Sequence, residues 1–524
     1  MPELPEPERG PGLRTRLLAR RPSLPAAARL ADLVNPMALK TWQVTAGAAV
    51  LGMAVAAGTV FAAGPWDSSG QRTAERDRAV GRGPWGGADH GRNGPGGEPG
   101  AAPSAPPVLT ALGAPGRGPG RAAAAGGPSE RSLGALLDPL LADASLGSTR
   151  AAAVVDVATG RRVYDRNAGQ ALTPASTTKL ATAVAALSAA GADHRITTRT
   201  VLAGGGRRAP ARVVLVGGGD PTLTARPDPK GAAALQRLAA ATARALTARH
   251  VRRVAVGYDD SLYTGPRMHP IGPNENLAPV TALMVDEGRL DHSAAGPAPR
   301  SAEPQLDAAT AFAGFLAQQG IGVQGGPAAA KAPGGARRLA AVQSPPLSAL
   351  VERMLTNSDN DIAEALARQT ALAMHRPASF AGGEQAVGAR LAGLGLAVAG
   401  ARFRDGSGLD RADLLTPGLL TELLARAGAP DRPELRPVLT GLPVAGFTGT
   451  LEHRYADGVD RGGTGLVRAK TGTLTGVNSL AGTVVDADGR LLAFAFMTTG
   501  ADSPAATQAT LDHLAAALAG CGCR

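Results

Sequence analysis

The chain is poor in the residues that usually mark a specialised scaffold. Its 524 residues include only 2 cysteines, Cys521 and Cys523, both in the closing CGCR. That excludes a disulfide-stapled fold and any cysteine-based zinc pattern. With one residue between the two, a strain-free bridge is not expected either, so residues 520–524 read as a solvent-exposed tail. Aromatics make up 3% of the chain, and no basic run is interleaved with them. The formal charge of +11 therefore points away from nucleic acid and towards a diffusely basic surface, with at most an affinity for acidic cell-surface polymers. Lysine is scarcer still, at five of the 54 basic residues. Arginine stays protonated, whereas a desolvated lysine can release its proton. The few positions that keep lysine are therefore the places to look for proton transfer.

Long uncharged runs are also rare, which makes the one from Thr41 to Trp66 stand out. It is long enough to cross a bilayer as a helix, and Trp42 and Trp66 bracket it as interfacial aromatics do. The tail before it carries seven basic and four acidic residues, which places the N-terminus in the cytoplasm. Residues 1–43 then form a basic cytoplasmic tail and residues 44–64 an anchor. A signal segment cut near FAA at residue 63 is the alternative, in which case the rest of the chain is secreted. Either way, the chain beyond this run is exported. Residues 65–130, rich in Gly, Pro and Ala, cannot offset the entropy of ordering and read as a disordered linker.

Folding sequence begins near residue 131. LGALLDPLLAD, with leucines at 133, 136, 137, 140 and 141, predicts an amphipathic helix. AAAVVDV and RRVYD around the turn ATG predict a hairpin. PASTTKLATAVAALSAAG then predicts a helix with Leu180, Val184 and Leu187 as its stripe and Gly191 as its stop. Residues 196–344 differ in texture, mixing short strand-like runs with a helical stretch, and read as an inserted subdomain. Helices return around LSALVERMLTNSDNDIAEALARQTALAM. The chain closes with GLVRAKTGTL, a strand–turn–strand through Asp488-Gly489, and a helix from about Pro504 to Leu518. Residues 131–195 and 345–519 together predict an α+β domain, an antiparallel sheet covered by helices from both ends of the chain.

Three short stretches carry chemistry. In PASTTKL, Ser176 and Lys179 share one helix face at i and i+3, the helix dipole favours negative charge near Ser176, and a desolvated Lys179 can take the hydroxyl proton. The plainer alternative is a helix cap followed by a solvated lysine. Ser358-Asp359-Asn360 lies between two helical runs, where a hydroxyl and an amide can relay a proton and hold a substrate amide; equally, all three residues cap helices well. Lys470-Thr471-Gly472-Thr473 lies on a strand, where a cation and hydroxyl suit a carboxylate and the glycine permits close approach. An edge strand with a protective lysine is the alternative.

Taken in order, these stretches resemble the SxxK, SDN and KTG set of penicillin-binding proteins and class A β-lactamases. The 182 residues from Ser176 to Ser358 suit the class C, low-molecular-mass penicillin-binding proteins, the D-alanyl-D-alanine carboxypeptidase/endopeptidases, which carry a large insertion there. VLVGGGDPTL, YDDSLYTGP, PVTALMVDEGR, RDGSGLDRADLLTP, GTLEHR and AKTGTLTGVNSLAG are similar in kind to family segments. The resemblance implies a β-lactamase/transpeptidase-like fold. It implies Ser176 as acylated nucleophile, Lys179 as base, and Ser358 and Asn360 as relay and positioning groups. Lys470 and Thr471 would hold the substrate carboxylate, and the backbone N–H groups of Ser176 and Thr473 would form the oxyanion hole, with Gly472 between. The implied substrate is the D-Ala-D-Ala end of a peptidoglycan stem peptide, β-lactams are implied covalent inhibitors, and neither metal nor organic cofactor is called for. RMHPIGPNEN departs from the pattern because it lacks the aromatics of many relatives, so recognition of the stem-peptide side chain falls to Arg411 or elsewhere. His269 and His453 read as structural. The rival functions are a serine β-lactamase or esterase, for which no deacylating glutamate is legible, and a catalytically inert cell-wall-binding protein.

Overall fold

A computed structural model describes residues 129–204, 211–227, 229–456 and 458–522. The expected tail and membrane segment, and nearly all of the expected linker, lie outside the described residues. Among the described residues no helix is long and apolar enough to cross a membrane.

In chain order the helices are α1 (Glu130–Leu141), α2 (Thr178–Ala190), α3 (Leu235–Thr247), α4 (Pro304–Gln318), α5 (Leu347–Asn357), α6 (Asn360–Ala373), α7 (Phe380–Gly393), α8 (Pro417–Gly428), the short α9 (Pro437–Thr440) and α10 (Pro504–Ala519). The strands are β1 (Thr149–Asp156), β2 (Arg162–Arg166), β3 (Thr197–Ala203), β4 (Ala211–Val216), β5 (Arg253–Asp259), β6 (Gly322–Val323), β7 (Ala328–Ala329), β8 (Arg337–Gln343), β9 (Arg468–Leu474), β10 (Val477–Val485) and β11 (Leu491–Thr499).

Five strands form an antiparallel sheet in the order β2-β1-β11-β10-β9. The alternation in LLAFAFMTT shows why helices cover both faces, since successive strand residues point to opposite sides. Ala493, Ala495 and Met497 join Leu180, Val184, Leu366 and Leu423 in one core. Leu492, Phe494 and Phe496 face the other way, into a core with Leu133, Leu137, Leu511 and Leu514 from the first and last helices. Leu136 and Leu140, expected on the same face of α1, are only partly buried.

The stripe expected on α2 is a more complete burial: Thr178 to Leu187 are all buried. The alanines at 181, 183, 185 and 186 let α5, α6, α7 and α8 pack closely around it, so a helix buried on every side, Lys179 included, sits in the middle of the domain. Gly191, with φ of 91°, ends it and donates to Leu187 O.

A second sheet, ordered β6-β5-β4-β3-β8, lies between α2 and α5 in the chain. β4 and β5 pair in parallel, which requires the crossover supplied by α3; α3 and α4 pack on that sheet through Leu238, Leu246, Phe312 and Leu316. Entry and exit are tied together, because Ser344 N donates to Ile196 O at 2.9 Å and Leu347 N to His194 O at 2.9 Å. Within residues 269–300 this excursion returns to the first domain, where His269 meets Asp405 and Arg300 meets Asp361.

The expectation for the C-terminus needs correction. Cys521 is 5% exposed and packs in the core under α10, and it is disulfide-bonded. The backbone N–H of Cys521 is held at the helix end by Leu518 O. The other cysteine, Cys523, lies outside the described residues.

Candidate active site

Ser176 stands in a single turn of 3-10 helix, Ala175–Thr177, that runs directly into α2. Ala175 holds φ of 49°, an uncommon conformation for a residue with a side chain. Packing enforces it. A Cβ on Gly408 would lie 1.9 Å from Ala175 O, so only glycine there lets the loop 405–410 close over this turn.

One helical turn on, Lys179 is fully buried. Its Nζ donates to Ser176 Oγ at 2.9 Å, Asn360 Oδ1 at 2.7 Å and Ser407 O at 2.7 Å. Burial pulls its pKa down to about 8, although the carboxylates of Asp405, Asp359, Glu364 and Asp413 pull the other way. Once Nζ is neutral it keeps two N–H groups for Asn360 and Ser407, leaving its lone pair for the Ser176 hydroxyl. The geometry therefore suits a base rather than a solvated lysine.

Both readings of Ser358-Asp359-Asn360 are realised. Ser358 caps the C-terminus of α5 with φ of 57°. Asp359 caps the N-terminus of α6 and accepts from Ile362 N at 3.0 Å. The tight break between the helices turns Ser358 Oγ towards Lys470 Nζ, 2.9 Å away, and Asn360 towards Lys179. Asn360 Nδ2 in turn donates to Asn276 O at 3.0 Å.

β9 is the edge strand of its sheet, next to β10, and only its start is bridged on the other side, by Arg468 to Val444. Lys470 is nevertheless fully buried, which makes a purely protective surface role untenable. Burial, and then the charge on Lys179, press its pKa well below the ordinary lysine value. A Cβ on Gly472 would lie 2.2 Å from Ser479 Oγ, 2.6 Å from Pro174 O and 3.1 Å from Ser176 N. The glycine thus lets β9 press against the turn that holds Ser176. Thr471 Oγ1 lies 2.9 Å from Thr450 Oγ1, and Thr473 Oγ1 accepts from Gln508 Nε2 at 3.3 Å.

Together these elements surround a cleft of about 210 Å³ lined by Ser176, Asn276, Ser358, Asn360, Leu409 and Thr473, among others. Arg411 stands outside that lining. Its guanidinium reaches the β9–β10 turn and donates to Thr475 O at 2.9 Å.

Two buried hubs lie behind the cleft, centred on Asp405 of RDGSGLDRADLLTP and Glu287 of PVTALMVDEGR, whose partners the sequence does not display. Asp405 accepts from Ser407 N at 3.0 Å, Gly408 N at 2.5 Å and Asp410 N at 2.8 Å. It thereby fixes the loop whose Ser407 carbonyl receives Lys179. His269 Nε2 lies 2.9 Å from Asp405 Oδ2, while Nδ1 accepts from Ile271 N at 3.2 Å. Burial opposes protonation of this imidazole, but the hydrogen bond to Asp405 and its charge outweigh that and raise its pKa. His269 thus supports the loop and does not touch Ser176, in keeping with the structural role expected of it.

The second hub is Glu287, which accepts from Arg289 Nε at 2.8 Å and pairs with Arg353. Nearby, Arg300 bridges Glu287 O at 2.6 Å and Asp361 Oδ2 at 2.8 Å. His269–Glu364–Asp405 and Glu287–Asp359–Asp361 are each close enough to share a cation. However, arginines 368, 289, 353 and 300 already serve their carboxylates.

The pattern of the D-Ala-D-Ala carboxypeptidase 3 (S13) family matches residues 133–299 and 296–519. The chain is 39% identical over 407 residues to carboxypeptidase Rv3627c of Mycobacterium tuberculosis, covering 76% of this chain and 85% of that protein. It is 38% identical over 417 residues to carboxypeptidase DacB of Mycolicibacterium smegmatis, covering 76% and 85%. Among solved structures, penicillin binding protein 4 (dacB) from Haemophilus influenzae superposes with a TM-score of 0.60 at 22% identity, over 73% of this chain and 97% of that one, and so shares the fold.

Proposed function

Since the chain belongs to the D-Ala-D-Ala carboxypeptidase 3 (S13) family, we propose that Ser176 is the nucleophile with which it cleaves the D-Ala-D-Ala end, or a D-Ala crosslink, of peptidoglycan stem peptides. The observation that carries this is the buried Lys179, with a pKa drawn down to about 8 and its Nζ 2.9 Å from Ser176 Oγ. Neutral Lys179 takes the hydroxyl proton as Oγ bonds to the carbonyl carbon of the penultimate D-alanine. The backbone N–H groups of Ser176 and Thr473 receive the developing oxyanion, each worth about 3 kcal/mol in comparable sites.

The proton then passes through Ser358 Oγ, held by Lys470, to the departing nitrogen. The C–N bond breaks, an acyl-enzyme remains, and water hydrolyses it to release the shortened peptide and free Ser176. Lys470 and Thr471 meet the terminal carboxylate, Asn360 the substrate amide, and Arg411 the stem-peptide side chain. A β-lactam enters by the same first step and stays bound as an ester of Ser176, because its leaving group remains tethered. The uncharged segment 44–64 anchors the chain, with the catalytic domain on the outer side of the membrane.

The test is intact-mass spectrometry of the full-length chain with benzylpenicillin, beside Ser176→Ala. A stable adduct of one penicillin mass, absent from the variant, is expected. No adduct with penicillin intact overturns the reading in favour of an inert wall binder, whereas rapid penicillin turnover without an adduct favours a β-lactamase.

A further inference from the structure

In the proposed reaction the substrate carboxylate meets Lys470 and Thr471, yet both have spent much of their donor capacity. Lys470 Nζ donates to Ser358 Oγ at 2.9 Å and to Thr471 O at 2.7 Å, which leaves a charged ammonium one of its three N–H groups. Thr471 Oγ1 donates to Thr450 Oγ1 at 2.9 Å, and a hydroxyl has only one proton to give. Thr450 is the acceptor in that pair, so its own proton is left for another acceptor.

Thr450 is exposed, but the turn that carries it is fixed from three sides. It lies in the single 3-10 turn Gly449–Leu451. Leu451 is fully buried in one core with Ala469 and Leu480. Gly449, with φ of 57°, lets the turn press on the end of α5, since a Cβ there would lie 2.1 Å from Thr356 O. Arg454 fastens the same loop to Asp512 of α10, so its guanidinium is already committed. The result is a solvent-facing hydroxyl held between the strand that carries Lys470 and the helix end that leads to Ser358.

We propose that Thr450 is a specificity-determining residue of the site: its hydroxyl, with that of Thr471, receives the carboxylate of the substrate or of a β-lactam and sets the preference for a free acid. A carboxylate only accepts hydrogen bonds, through two oxygens. Two hydroxyls 2.9 Å apart each give it a proton once Thr471 turns from Thr450 to the incoming oxygen. One neutral hydrogen bond is then replaced by two charge-assisted ones, which are about twice as strong. An ester or amide in the same place carries no charge and gains less. Because the turn is already held, little ordering cost is added on binding. The assignment rests on the reading of Ser176 as nucleophile, and deepens it with a contact outside the three motifs.

The test compares the full-length wild type with Thr450→Val, which keeps the shape and loses the hydroxyl, and Thr450→Ser, which keeps the hydroxyl. The side chain is exposed, so both substitutions spare the core. The probes are benzylpenicillin and its methyl ester, and the readout is the second-order rate of acylation by intact-mass spectrometry. The wild type is expected to prefer the acid at least tenfold. Thr450→Val should lose at least tenfold on the acid and less than threefold on the ester, so that the preference collapses. Thr450→Ser should stay within threefold of wild type on both.

Equal losses on acid and ester would mean that Thr450 only braces its loop, and would overturn the proposal, as would no loss on either. A serine variant as poor as the valine one overturns the part played by the hydroxyl. A wild type that is acylated equally by acid and ester overturns the proposal alone and leaves Ser176 as nucleophile. Failure of the wild type on both probes overturns the nucleophile reading, and this assignment with it.

Discussion

The fully buried Lys179 places its Nζ 2.9 Å from Oγ of Ser176, which lines the cleft, and burial brings the lysine pKa to about 8. Acylation by benzylpenicillin should therefore rise with pH, reach half its maximum near 8 and level off above. Lys179→Arg should lose at least 10³-fold at every pH, because a guanidinium does not surrender its proton. Stopped-flow acylation rates from pH 6 to 10 check both. A flat profile, or an active arginine variant, would remove Lys179 from the role of base.

The same shift has a consequence for stability. A lysine depressed in the folded state holds fewer protons than its unfolded counterpart, near 10.5, throughout the window from 8 to 10.5. Stability from this group therefore rises as pH climbs through that window. Across it the gain is about 3 kcal/mol, at 1.36 kcal/mol per unit. Urea unfolding at pH 7.5 and pH 10 should show this rise in the wild type and a smaller one in Lys179→Met.

Gly472 is required by contact rather than by conformation. Gly472→Ala would push a methyl to 2.2 Å from Ser479 Oγ and 2.6 Å from Pro174 O, so β9 must move away from the turn bearing Ser176. Acylation should fall by at least 100-fold while near-ultraviolet circular dichroism stays native. A variant within threefold of wild type would show that the strand and the turn need not touch.

The chemistry-bearing triplets were legible because each is contiguous: Ser176 and Lys179 share a helix face, Ser358 and Asn360 flank one cap, and Lys470 and Thr473 lie on one strand. The strand–turn–strand through Asp488-Gly489 and the helices at both ends of the chain were likewise legible, and hence an antiparallel sheet covered by helices. What could not be read are partners brought together by the fold. His269 meets Asp405, and Asn276 meets Asn360, across long sequence separations with no shared period, and Ser407 serves through a backbone carbonyl that any residue has. The burial of α2 on all sides was hidden because alanine suits a surface helix as well as a crowded centre. Cys521 was misplaced for a related reason: nothing in CGCR records that the chain turns inward after α10.

GTLEHR ends in a tie that the sequence shows only as a charge. Arg454 donates to Asp512 from Nε at 2.8 Å and from Nη2 at 2.6 Å, fastening the loop that carries Thr450 to α10. Asp512 is 5% exposed. Arg454→Ala should destabilise the domain by about 3 kcal/mol, because it leaves that carboxylate buried without its cation. Arg454→Lys should recover only part, lacking the paired donors. The loss should shrink at acid pH, where Asp512, its pKa already raised by burial, takes up a proton. Urea midpoints at pH 7 and pH 5 test this, and equal losses at both would refute the buried-charge account.

Ser358 holds a left-handed conformation, with φ of 57° and ψ of 39°, because the break between α5 and α6 must turn its hydroxyl towards Lys470. Substituting either alanine or glycine removes that hydroxyl, so both should lose acylation to the same extent, by about 10²- to 10⁴-fold. They should differ in stability. Alanine keeps the crowding of Cβ in this region, whereas glycine relieves it, by about 1 kcal/mol. Ser358→Gly should therefore unfold at higher urea than Ser358→Ala while remaining equally inactive. If the two variants unfold together, the break is held open by the surrounding helices and the serine is not strained. If glycine instead retains activity, the relay does not run through Ser358, and Lys470 must hand the proton on directly.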